Sequence, residues 1–297
     1  MADKQLGKSL QPFAPYFLVV ALSFLIYQLY LVQNSFSALY NIALSATSRW
    51  QSSGSLWPLV WLSSETSGEI GLLLRFVGAC FFVYVAWFLL RKKEVALPFL
   101  RKAVLLEATY FLFYTPFVVY LLTRPGNSLA GVEAGFSYAM QIVLVSPSLF
   151  MLYFKLRRFG LGNDKSQVVR WFAIVFCFYV FALWVKHFMF AIYAVGINFT
   201  EPVLALGSVN SIATLLIAAV ASIAVFLPII REKRNSFNPK ALGGILICIG
   251  AYFIIFILIS LVNANYSNWV ALTEWWATAL PILGLGFVFG VVGKKTN

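Results

Sequence analysis

The stretch RKKEVALPFLRK (residues 91–102) separates two apolar runs, 69–90 and 103–123, and carries five of the chain's 22 lysines and arginines. Each flanking run has about 20 apolar residues, the length of an α-helix that crosses the hydrocarbon core of a bilayer. A short basic segment between two such runs is the connection of a transmembrane hairpin, since its charges resist being drawn into lipid. Working outward from it, the same pattern recurs. Apolar runs at about 13–32, 69–90, 103–123, 132–154, 168–195, 202–230, 241–262 and 273–293 predict eight spans. The expected fold is therefore all-α: a polytopic membrane protein, one membrane domain over 1–297, with a bundle of about eight transmembrane helices. Composition agrees. Of the 297 residues 61% are hydrophobic, 18% aromatic and 11% charged, with mean hydropathy +0.86, against about 25% charged in a soluble chain.

The net charge of +12 raises the question of a nucleic-acid partner, and position answers it. Lys4 and Lys8, then segments 91–102, 155–170 and 231–240, and Lys294 and Lys295 hold 18 of the 22 basic residues. With eight spans all of these fall on one side, which the positive-inside rule makes cytoplasmic, together with both termini. The charge is topology, so no nucleic acid is expected. The partners this leaves are membrane lipids, other membrane subunits or a second copy of the chain. Cys80, Cys177 and Cys248 all lie inside apolar runs and form no CxxC pair, and His187 is the only histidine. No disulfide, metal site or cofactor is expected. The run from Phe13 to Val32 is too long for the apolar core of a cleavable signal.

The segment 33–68 joins the first two spans on the outer side. Phe36, Leu39, Tyr40, Ala43 and Leu44 recur at helical spacing, which predicts an outer interfacial amphipathic helix after the first span. Trp50, Trp57 and Trp61 follow, as in an aromatic belt. Among the outer acids, Glu69 and Glu201 sit where helices are expected to start. Thr66-Ser-Gly-Glu69 reads as a capping box and Thr200-Glu201 as a capped first turn. Glu65 has no such account.

Charges inside the spans are the sharper signal, because ionisable groups there are costly and face protein or water. Arg75 shares a face with Gly68, Gly71, Gly78 and Ala79, a small-residue stripe suited to close packing, so it is expected to point inward. Lys186 lies in the fifth span on a stripe with Tyr179, Phe190 and Tyr193, placed either to snorkel outward or to face a cavity. Glu107 shares a face with Tyr110 and Tyr114. In the cytoplasmic third of its span, it sits too deep and on the wrong side to be an obvious partner for Arg75 or Lys186. In the sixth span Gly207, Asn210, Ser211, Thr214, Ala218 and Ser222 form a polar strip. A retinal-type lysine site is disfavoured, since no aspartate lies in any span, and the motifs of soluble nucleotide-binding and hydrolytic enzymes are absent.

Three functional readings follow. The first is an integral membrane protein with an outward-facing polar cavity that binds or transports an anionic or zwitterionic small molecule or lipid headgroup. Its ligand-binding candidates are Arg75, Lys186, Glu65, Glu69, Glu201 and Asn210. The second is a lipid-linked transferase. A long outer segment straight after the first span resembles membrane glycosyltransferases that use polyprenyl-phosphate donors. Those place an acid at the start of that segment, where this chain has Gln33-Asn34-Ser35. The third is a structural or accessory subunit of a larger membrane complex, with no site of its own.

Overall fold

The computed structural model describes residues 11, 14–53, 57–92, 95–123, 135–136, 138–158 and 239–262, with scattered helical positions within 171–188, 216–227 and 279–287. The described residues are helical, with no strand among them. In chain order the continuous elements are α1 (Ala14–Ser53), α2 (Trp57–Lys92), α3 (Leu97–Phe113), α4 (Thr115–Thr123), α5 (Tyr138–Arg158) and α6 (Pro239–Val262). Four stretches are long and apolar enough to cross a membrane: Phe17–Ile42, Val60–Lys92, Leu97–Thr123 and Tyr138–Arg158. They overlap the first four predicted spans, and α6 overlaps the seventh predicted run, where the apolar stretch Gly243–Tyr252 is shorter than a span. The runs at 168–195, 202–230 and 273–293 lie largely outside the described residues.

The helix ends differ from the limits of the apolar runs. α1 continues without a break through Gln33, Asn34 and Ser35, so the amphipathic stretch predicted as a separate outer helix is the second half of α1. α2 begins at Trp57, 12 residues before the predicted start. Pro58 suits a helix start, where its missing N–H is an orphan anyway. The Thr66–Glu69 capping box is thereby overturned, because Glu69 lies three turns inside a continuous helix. At 40 and 36 residues, α1 and α2 are about 60 and 54 Å long, well beyond a hydrocarbon core of about 30 Å.

These two helices pack side by side through a seven-residue rhythm. Ala14, Ala21, Gln28, Ser35 and Ile42 are buried on α1 and Ala79 and Ala86 on α2, while Gly71 and Gly78 of α2 are turned toward α3. A repeat of seven keeps one seam facing its partner, and small side chains let two backbones approach without a hydrophobic drive between helices.

α2 packs next along α3. The turn between them is itself apolar and buried: Val95, Ala96 and Leu97 are each less than a tenth exposed. The amides of Phe99 and Leu100 donate to the Ala96 carbonyl at 3.0 Å and start α3. Tyr114 ends α3 in a turn, as expected where Pro116 cannot continue the helical hydrogen-bond ladder, and α4 resumes from Thr115. α5 lies against α3, held by a buried bond from Ser146 Oγ to the Ala108 carbonyl (2.9 Å) and by Arg101 Nε donating to the Leu156 carbonyl (2.7 Å). The second bond places the end of α5 beside the start of α3, so Arg91, Lys92, Arg101, Lys102, Lys155, Arg157 and Arg158 share one end of the bundle. Farther along the chain, a Cβ on Gly286 would lie 2.8 Å from the Ile247 amide, so the backbone at that glycine comes close to α6.

The register of the α2–α3 hairpin is directly testable. A Cβ built on Gly78 falls 3.4 Å from Leu106 Cβ, near the separation of about 3.5–4.5 Å that a disulfide needs. In a background free of native cysteines, Gly78→Cys with Leu106→Cys is expected to cross-link on mild oxidation in the membrane. Gly78→Cys with Phe113→Cys is expected to remain reduced. Cleavage of the chain between α2 and α3 and gel mobility read the outcome.

Candidate functional site

Gly71, Arg75 and Gly78 lie at i, i+4 and i+7 on α2 and face α3. The two glycines set the distance. A Cβ at Gly71 would sit 3.1 Å from Phe113 Cβ, so the helices meet there more closely than a larger side chain allows. Between the two contacts, Arg75 and Glu107 form a bidentate ion pair. Nη2 lies 2.7 Å from Glu107 Oε1, and Nε donates to Oε2 at 3.0 Å. The fork of a guanidinium matches a carboxylate in this way and saturates both oxygens at once.

The expectation that Glu107 is no partner for Arg75 is therefore wrong, and the reason is geometric. Depth was counted from the ends of the apolar runs, whereas the shared turn sets it. α2 starts 12 residues and α3 six residues sooner than predicted, and Gly78 faces Leu106, Gly71 faces Phe113 and Arg75 faces Glu107. The inward orientation expected for Arg75 holds, with 14% of its side chain exposed against 15% for Glu107.

Aromatic rings enclose the guanidinium. Its Cζ lies 4.4 Å from the Tyr110 ring, 5.3 Å from Phe24 on α1 and 6.0 Å from Phe111. Such contacts contribute about 0.5–2 kcal/mol each, most where water is excluded. From Tyr110 the rings continue away from the basic end of the bundle. Tyr114 stands 4.9 Å from Tyr110, Tyr138 stands 5.3 Å from Tyr114, and Phe117 borders both of these. Tyr138 precedes a π-helical turn, Gln141–Val145, next to Pro147, which has no N–H to complete the ladder. Local widening of this kind re-aims side chains and is frequent at functional sites. Ser146 closes the turn, and its bond to the Ala108 carbonyl fixes the α3 backbone at the residue beside Glu107.

Other candidates separate from this centre. Glu65 and Glu69 stand one turn apart in the first half of α2 and do not enter the Arg75 pair. Glu69 Oε2 is buried without a hydrogen-bond partner among the described residues. A shallow groove of about 480 Å³ beside them is lined by Val60, Leu62, Ser63 and Thr66 and is far from Arg75 along the helix. Lys186, Glu201 and Asn210 lie outside the described residues. Tyr179, from the stripe predicted to carry Lys186, falls within electrostatic reach of Arg75.

Gln28 escaped the sequence reading. It is fully buried on α1, one turn from Phe24, and neither amide atom has a partner among the described residues. Its signal was a lone amide at the centre of the seven-residue seam Ala14, Ala21, Gln28, Ser35, Ile42. All three cysteines are free thiols, and no cluster of metal-ligating side chains occurs among the described residues. The chain matches no protein-family model, no curated protein and no solved structure.

If the close approach of α2 and α3 holds the pair, widening it weakens the protein. Gly71→Val is expected to lower stability by about 1–3 kcal/mol through overpacking, whereas Gly68→Val, with nothing within 4 Å of its Cβ, is expected to change it little. Thermal unfolding of the purified variants in one detergent checks both.

Proposed function

We propose that this is an integral membrane protein that binds or transports a small zwitterionic molecule or lipid headgroup, and that Arg75 and Glu107 are the groups with which the ligand exchanges. The observation that carries this reading is the composition of the centre: one cation and one anion, already paired, both slightly exposed, at the inner end of a track of tyrosines. An interior ion pair is weak evidence for stability, since apolar residues of the same volume often serve as well or better. Intramembrane charge is by default a functional signal. The pair carries no net charge, so a simple anion attracted by Arg75 meets the Glu107 carboxylate as well. A ligand with both signs replaces each half of the pair with its own complement and leaves no charge uncompensated. The rings of Tyr110, Tyr114 and Tyr138 offer faces to a cationic group and hydroxyls to an anionic one. Lys186 follows Tyr179 by seven residues, the spacing that keeps two positions on one helix face, and belongs to the same proposal. The track leads away from the basic end of the bundle, which by the positive-inside rule is outward.

One observation favours the accessory-subunit reading as well. Val19, Leu22, Ile26, Leu29, Phe36, Tyr40 and Leu44 form an exposed stripe on α1 about 38 Å long, longer than lipid contact alone requires.

Native mass spectrometry of the protein released gently from its own membrane separates the two. A retained small molecule, depleted about tenfold or more in Glu107→Gln, is the expected result. Reproducible co-release with other protein chains and no small molecule would reject a ligand role and make the chain a subunit.

A further inference from the structure

Independently of the Arg75–Glu107 centre, the structure points to a second site at the basic end, on the outer surface of the α2–α3 hairpin. We propose that this ledge binds one acidic phospholipid of the surrounding bilayer. Two exposed cations border it, and each is already held against aromatic rings. Arg91 Cζ lies 4.6 Å from the Trp87 ring; Lys102 Nζ lies 5.5 Å from Phe99 and 5.8 Å from Phe81. Phe99 packs against Tyr84 at 4.4 Å and against Phe81 at 5.7 Å, so the rings form a continuous floor between the two helices. Neither Arg91 nor Lys102 has an ion-pair partner among the described residues.

The apolar half of the site lies directly beside the charges. Ile70, Val77 and Tyr84 recur at seven-residue spacing, all about two-fifths exposed, and the next member of that series is Arg91. Trp87 is exposed to the same degree one turn before Arg91. From Val77 to Arg91 the stripe measures about 21 Å, enough for an acyl chain of one leaflet and its headgroup. A stripe of this kind could face any lipid, and charge decides the class. Seven basic residues share this end of the bundle, and no described acid stands among them. A neutral zwitterionic headgroup gains little from them, while a phosphate-bearing headgroup of net negative charge gains from each cation near the surface. Cations held on rings also lose less freedom when they bind, which favours a defined site over a diffuse halo.

The test compares retention of phosphatidylglycerol and phosphatidylcholine of identical chains by native mass spectrometry of the full-length protein. Wild type is expected to retain one phosphatidylglycerol in preference. R91Q/K102Q is expected to lose that preference about thirtyfold, the effect of two surface cations. R157Q/R158Q, which removes the same charge from the same end, is expected to change it less than twofold. If R91Q/K102Q does not assemble, K102Q alone is expected to give about a fivefold loss. Equal retention of the two lipids by wild type, or an equal effect of the two double variants, would overturn the assignment.

Discussion

A guanidinium and a carboxylate inside a lipid-facing bundle constrain everything around them, because the surrounding hydrocarbon cannot solvate either one. Their mutual attraction stabilises them only when the contact is short, both carboxylate oxygens are used and the partners stay fixed. Three features meet those conditions. Gly71 and Gly78 bring α2 and α3 together on either side of Arg75, the buried turn at Val95–Leu97 fixes which residues face one another, and Ser146 holds the α3 backbone beside Glu107. The rings of Phe24, Tyr110 and Phe111 then fill the space that water would otherwise occupy.

The same hairpin separates two environments. Toward the basic end its surface carries apolar side chains and cations, ordered as a lipid leaflet is ordered. Away from that end its inner side carries tyrosines, which are apolar in body and polar at the tip. The ion pair stands where these environments meet. The π-helical turn of α5 and the break of the helix at Tyr114 fall on the tyrosine side. Departures from regular helix thus gather around Tyr114 and Tyr138, whereas the helices around Arg91 and Lys102 are regular.

The all-helical membrane fold was legible in composition and in runs of apolar residues, and helical spacing showed the close approach at Gly71 and Gly78 beside Arg75, although Gly68, expected on the same face, has nothing within 4 Å. Helix limits were not legible. Hydropathy reports where lipid can touch a helix; it does not report where the helix ends, so Trp57–Gly68 and the second half of α1 read as a connecting segment. That single error displaced the depth of Arg75 and hid its partner, although Glu107, Tyr110 and Tyr114 were all visible on one face of α3. Tyr138 and Gln28 carried weaker signals. A tyrosine near a helix end is ordinary, and a lone glutamine stands out only once the seven-residue seam around it is seen.

A double-mutant cycle between Arg75 and Glu107 tests the central claim most directly, with stability read from unfolding of Arg75→Met, Glu107→Leu and the double variant in the same lipid or detergent. Either single change leaves a buried charge unpaired and is expected to cost about 3–5 kcal/mol, while the double change is expected to cost far less than the sum. Additive losses in the double variant would contradict the account, because they would mean that the two charges do not depend on one another.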